Sequence, residues 1–435
     1  MHQRASPPPR QPAPASWRQW FGGVIDNAAY GPRRKPMNSP KTTLRLIGLA
    51  AFGSLAAMRI CDSMLIALGR EFHATTGDAS KVISAFALSY GVMQLLYGPL
   101  GDRIGKLRVI VWATFACALF SALTSMAPTL ELLIVSRAAM GAAAAGIVPL
   151  SIAWVGDQVP YQQRQETLAR LLGATLTGMM AGQWFGGFAA QSLGWRVAFM
   201  ALAAIFLIAA LVLHRNTVAE RRAQTPAAAN RVSLPTYFRN SFELLKMPRV
   251  RWVLTVSALE GAMAYACLAF VPSRLVENFG FSPSGAGAVM ILFGAGGLLY
   301  SQIARRWLAL LGERGLALLG GALFAGCLAT LAWARQPWLA AASCFFAGLG
   351  LYMLHNTLQT QATQMAPESR GSAVTLFACI LFMGQSCGIL VLAASLDRGS
   401  LASSFSIAGL GLLILGGWVS RHVQARQPNL ERPVK

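Results

Sequence analysis

Long apolar runs separated by shorter polar connections dominate the chain, and the runs are mostly 20 residues or longer. They occupy residues 43 to 68, 80 to 100, 108 to 128, 131 to 154, 166 to 189 and 194 to 214, then 250 to 272, 283 to 303, 315 to 334, 338 to 359, 371 to 393 and 401 to 420. A helix rising 1.5 Å per residue needs about 20 apolar residues to cross ~30 Å of hydrocarbon, so each run is a candidate span. The strands of an outer-membrane barrel would alternate polar and apolar at every second residue, which these runs do not do. The pattern predicts an all-α membrane protein with twelve transmembrane helices.

One connection is long. Residues 215 to 249 are polar and basic, carry Pro226, Pro235 and Pro248, and divide the spans into two sets of six. Matching landmarks recur in the two sets: Pro160 and Arg164 follow span four, and Pro367 and Arg370 follow span ten. Eighteen residues beyond each arginine stands a glycine of a small-residue cluster, Gly182 and Gly388. The repeat predicts two halves, 43 to 214 and 250 to 420, related by an axis along the membrane normal. Residues 1 to 42 and 421 to 435 read as polar tails, the first Pro-rich and lacking any run that suits a signal peptide. Translation is expected to begin at Met37, six residues before span one.

Composition agrees with this picture, since 12% of the 435 residues are charged against about 25% in soluble domains. A net charge of +21 raises nucleic acid as a partner, but the placement of the charges argues against it. Lys and Arg lie mostly in the termini and in connections after even-numbered spans, with Arg59 and Arg137 inside spans. That asymmetry is the positive-inside signal and predicts an inner-membrane protein with both termini cytoplasmic. The seven cysteines fall within apolar segments, without CxxC spacing or nearby histidines, so neither a disulfide framework nor a metal site is expected. No phosphate-cradling loop or catalytic triad pattern suggests an enzyme.

The connection after span two reads "GPLGDRIGKLR". It resembles the signature of the major facilitator superfamily between helices two and three, with Gly98, Leu100, Asp102, Arg103, Gly105 and Lys106 matching and Arg108 following Leu107. "LIVSRAAMGAAAAG" resembles the family's helix-four motif at Arg137 and Gly141. "GMMAGQWFGG" resembles the helix-five motif of its exporters at Gly178, Gly182, Gly186 and Gly187, with Gln183 in place of proline. "ICDSMLIAL" resembles the Asp-containing helix-one segment of drug:proton antiporters, with Gly69 where proline is usual. The resemblance implies the major facilitator fold of two six-helix halves, a monomer, and spans five and eight meeting across the halves. It further implies that Asp102 meets the start of span eleven near Gly371 and Ser372, latching the outward-open state.

Charges inside a membrane cost several kcal/mol unless paired or hydrated, so Arg59, Asp62, Arg137 and Glu260 are the foremost site candidates. Asp62 and Arg137 lie at similar depth, each six residues from the outer edge of its span, or ~9 Å. Asp62 is therefore expected to carry a proton, with Arg137 adjusting its affinity. Arg59, three residues before Asp62 on one helix face, offers a structural pair instead. Glu260, near the middle of span seven, suits a cationic substrate. Tyr90, Gln94, Gln183, Tyr265 and Gln385 are further candidates for a substrate cavity, and His355 with Asn356 reads as interfacial, with a proton relay the alternative for His355. The expected activity is export of a small molecule by proton antiport, with no cofactor beyond the proton gradient. An importer or facilitator of a sugar or organic acid, and a non-transporting membrane sensor, are the alternatives.

Overall fold

In the computed structural model, residues 40–221, 234–398 and 401–423 are described. Met37, the tail before residue 40, the middle of the long connection and the end of the chain lie outside the described residues. Everything with regular structure among the described residues is helical. Among them, nine helices are long and apolar enough to cross a membrane. One of these, Pro283–Trp333, joins spans eight and nine, and it breaks at Gly312, whose φ of 63° and ψ of 176° lie outside the helical region. Pro40–Arg59 resuming as Leu65–Glu71, and Tyr161–Ser192, supply spans one and five. Their apolar character is diluted by Arg45, Arg59 and Asp62 in the first and by Arg164, Glu166 and Arg170 in the second.

The remaining spans are Lys81–Ile104, Lys106–Ser125, Leu130–Ala144 with Ile147–Gln158, Trp195–Arg221, Pro248–Phe279, Pro337–Gln364, Arg370–Leu396 and Leu401–His422. Span six runs on past residue 214, and Leu234–Glu243 forms another helix within the connection between the halves. Pro235 suits that helix's first turn, where its missing N–H would have no partner anyway. Large apolar side chains such as Trp112, Val135, Val391 and Ile407 stand exposed on the outside of the bundle. Water would penalise that surface, whereas hydrocarbon is its natural solvent.

Small residues set how closely the helices approach. A Cβ on Gly178, Gly182 or Gly186 would strike the carbonyl oxygen of Phe52, Ala56 or Ile60, so span five lies directly on span one. In the second half, Gly384 and Gly388 leave the same room for the carbonyls of Ala258 and Ala262, laying span eleven on span seven. The landmark glycines Gly182 and Gly388 thus hold equivalent contacts. Spans five and eight meet as expected, but Gly178, Gly182 and Gly186 of span five serve span one. Of the four motif glycines of span five, Gly187 alone meets span eight among the described contacts, at the carbonyl of Pro283, while Gly287 of span eight rests on the backbone of Gln183 and Trp184.

The two halves also meet where span two crosses span eleven. Ser84 and Ser386 bond through their hydroxyls at 2.7 Å, Tyr90 packs edge-on to Phe382 at 4.8 Å, and Gly91 admits Phe382 and the carbonyl of Cys379. These contacts run from mid-membrane at Gly91 toward the end of the bundle remote from the basic connections, here called the far end, where Gly77 admits the carboxylate of Asp397. At the basic end, Gly105 takes φ of 102° and turns span two into span three.

Among the described residues, spans one, four and seven are interrupted within their length. Span four pauses at Ala145 and Gly146, where the ring of Tyr97 fills the space a side chain would need. The Tyr97 hydroxyl donates to the carbonyls of Ala142 and Ala143 at 3.0 and 3.2 Å, covering oxygens near the break. Spans one and seven are interrupted at the residues that matter for the site.

Candidate functional site

Span one leaves the α-helix after Arg59 and resumes at Leu65. The turn between them is tight, with the N–H of Asp62 donating to the carbonyl of Arg59 at 3.2 Å and that of Met64 to Cys61 at 3.0 Å. Asp62 sits on this turn with 0% exposure. Its Oδ2 accepts from Arg59 Nη1 and from Gln183 Nε2, each at 3.3 Å, while Oδ1 has no hydrogen-bond partner. A buried carboxylate is tolerable here because the guanidinium neutralises it.

Arg137 is also fully buried, yet it serves a different part of span one. Its Nη1 donates to the carbonyl of Ala57 at 2.9 Å, and its guanidinium lies over the ring of Phe86 at 4.2 Å and that of Phe199 at 5.7 Å. Equal depth did not bring Arg137 into hydrogen-bond contact with Asp62. The cation that reached Asp62 is Arg59, from the same span.

In the other half, span seven turns as a π-helix over Gly261–Tyr265, directly after Glu260. On a regular α-helix residues five apart point roughly 140° away from each other. The wider turn, bonded from i to i+5, brings Tyr265 round toward Glu260. Both then face His355 of span ten. Its Nδ1 lies 3.2 Å from each carboxylate oxygen of Glu260, and its ring meets that of Tyr265 at 5.6 Å. The reading of His355 as interfacial is corrected: span ten runs nine residues further, to Gln364, which sets His355 roughly 13 Å inside its end. His355 is 14% exposed and Glu260 0%.

The two clusters touch. The guanidinium of Arg59 lies over the ring of Tyr265 at 5.7 Å, so a chain of polar groups runs from Gln183 through Asp62, Arg59, Tyr265 and His355 to Glu260. Sequence reading placed Asp62 and Arg59 in proton coupling and Gln183, Tyr265 and Glu260 in a substrate cavity. The motif position of Gln183, where proline is usual, was the available signal. Tyr90, Gln94 and Gln385 are buried on spans two and eleven. A cleft of ≈ 260 Å³ near the far end is lined by Ser63, Ala67, Gln191, Ser273 and Pro283, and so reaches the residue after Asp62.

Asp102, at the basic end, is 68% exposed and lies 3.7 Å from Lys106, which also bonds Asp157. Among the described residues no hydrogen bond or ion pair joins it to span eleven, and a Cβ on Gly371 would meet nothing within 4 Å. The groups of the expected latch are apart in this conformation, in which the halves are joined at the far end.

A bundle of twelve membrane helices with buried charges facing each other across two halves is the architecture of a secondary transporter. The sequence profile of the Major Facilitator Superfamily matches residues 47–389, and the chain belongs to that family. It is 26% identical over 370 residues to the chloramphenicol resistance protein of Streptomyces lividans, covering 83% of this chain and 93% of that one. It is 26% identical over 338 residues to the uncharacterized MFS-type transporter YceJ of Bacillus subtilis (strain 168), covering 76% and 83%. The crystal structure of nucleoside transporter NupG superposes with a TM-score of 0.69 at 13% identity, covering 88% of this chain and 100% of that one. The protein is a membrane transporter and not an enzyme.

Proposed function

We propose that the chain exports small molecules across the cytoplasmic membrane by proton antiport, with the basic end in the cytoplasm. The observation that carries this reading is Asp62, a fully buried carboxylate on a helix break, with one oxygen unpartnered and the other held by Arg59 and Gln183. A proton on Asp62 removes the charge that Arg59 balances and frees the guanidinium to interact elsewhere. Since Arg59 also lies on Tyr265 of the other half, the state of Asp62 bears on how the halves hold together. The cleft reaching Ser63 offers protons an approach from the far end. The far-end contacts of spans two with eleven and five with eight support an inward-facing reading of this conformation. The similarity to a chloramphenicol resistance protein supports export over import.

Everted vesicles test direction and coupling together. Acidifying their interior is expected to drive uptake of a probe such as chloramphenicol, and Asp62→Asn is expected to abolish it. Accumulation of the probe with protons in right-side-out vesicles would overturn export in favour of import. A permanent structural ion pair is the competing reading, supported by Arg59 and Asp62 lying on one span. It requires Asp62→Asn to lower stability while substrate-driven proton movement persists.

A further inference from the structure

Glu260 and His355 take no part in the coupling just described, yet they form a second buried ionisable pair. The spans packed around them bring little other charge to membrane depth. Span eight carries no charged residue between Pro283 and Arg305, span eleven none between Arg370 and Asp397, and span twelve none from Leu401 to Arg421. Span ten contributes His355 with Tyr352 and Cys344, and span seven contributes Glu260 with Tyr265 and Cys267. Arg59 of span one is the cation that faces them, across the ring of Tyr265.

Charge balance in a dry site restricts where protons can sit. Arg137, held at Ala57 beneath Phe86 and Phe199, adds a constant charge, so the arrangements differ in which carboxylate Arg59 balances. That carboxylate is Asp62 when the Glu260 and His355 pair holds a proton between them as imidazolium and carboxylate. It is Glu260 when Asp62 is protonated and His355 is neutral. A proton at both sites at once would leave Arg59 without a counter-ion, so occupancy of one site opposes occupancy of the other.

We propose that Glu260 and His355 together form a second proton-binding site whose occupancy opposes that of Asp62, with Arg59 exchanging its counter-ion between the two halves. The proposal rests on the proton-coupled reading of Asp62 and assigns the second half its share of that coupling. In each exchange the proton leaving one site is balanced by a proton gained at the other, and Arg59 shifts from Oδ2 of Asp62 toward the Tyr265 side. The π turn of span seven has a purpose in this scheme, because it sets Tyr265 beside Glu260 where Arg59 reaches it from span one.

Histidine-selective ¹⁵N NMR of the full chain in lipid nanodiscs tests this without any transported probe. The chain has five histidines, and His355 is identified by the signal missing in His355→Gln. In Asp62→Asn the charge of Arg59 is uncompensated, so the ratio of imidazolium to imidazole at His355 is expected to fall about threefold or more relative to wild type at the same pH. Arg59→Gln combined with Asp62→Asn is expected to restore the wild-type ratio, which a general loss of packing would not do. An unchanged ratio in Asp62→Asn, or no recovery in the double variant, overturns the proposal. Vesicle transport reports separately on antiport: proton movement surviving in Asp62→Asn refutes the coupling role of Asp62, whereas the NMR ratio addresses the second site alone.

Discussion

The side-chain amide of Gln183, on span five, donates to Oδ2 of Asp62 at 3.3 Å and so ties span five to the break in span one. The bond exists because Gly182 and Gly186, on either side of Gln183, let the backbone of span one come into contact with span five. Gln183→Leu keeps nearly the same volume and removes a bond worth ~1.5–3 kcal/mol when its acceptor is charged. Uptake into everted vesicles is expected to fall about tenfold or more while the protein remains monodisperse. Full activity in this variant would show that Asp62 works without its partner from span five.

The glycine contacts predict stability with opposite signs at neighbouring positions. Gly182→Ala drives a methyl group into the carbonyl of Ala56, and overpacking of this kind costs ~1–3 kcal/mol. Gly173, on the same helix, has nothing within 4 Å of its would-be Cβ. Gly173→Ala is expected to stabilise by ~0.5–1 kcal/mol through helix propensity. Melting midpoints in detergent, compared side by side, check the pair.

Asp102 offers a test of the conformational cycle. Its carboxylate is exposed near Lys106 in this state, so neutralising it disturbs no buried contact here. Asp102→Asn is expected to leave substrate binding unchanged, measured on purified protein, and to lower transport. Unchanged turnover would remove the latch at the start of span eleven from the cycle.

Just beyond the membrane-spanning part of span one, Glu71 provides a pH handle. Partial burial pushes its carboxyl up, but hydrogen bonds from Arg196 Nη1 and from Trp195 Nε1, the latter at 2.6 Å, outweigh it and hold it below the ordinary glutamate value. A depressed folded-state value means stability that is present above the unfolded value, about 4.3, and is lost as pH falls through the folded one. The melting midpoint is therefore expected to drop below about pH 4.3 more steeply in wild type than in Glu71→Gln. Equal slopes would show that the clamp adds nothing to stability.

The sequence by itself determined the solvent, the number of spans and the repeat, because twenty-residue apolar runs and the placement of Lys and Arg are local properties that hydrocarbon and water sort directly. It also marked Arg59, Asp62, Arg137 and Glu260, since an intramembrane charge stands out in any apolar run. The spacing of Arg59 and Asp62 already offered their pairing, and the tertiary structure decided between it and Arg137 and supplied the other partners. Depth along a helix says nothing about the direction a side chain takes once the helix breaks, so Arg137 went to Ala57 and Arg59 to Asp62. The π turn that joins Tyr265 to Glu260, and the length of span ten that buries His355, follow from packing between distant segments. No local pattern encodes them, which is why His355 is the residue whose role changed most once the helices were assembled.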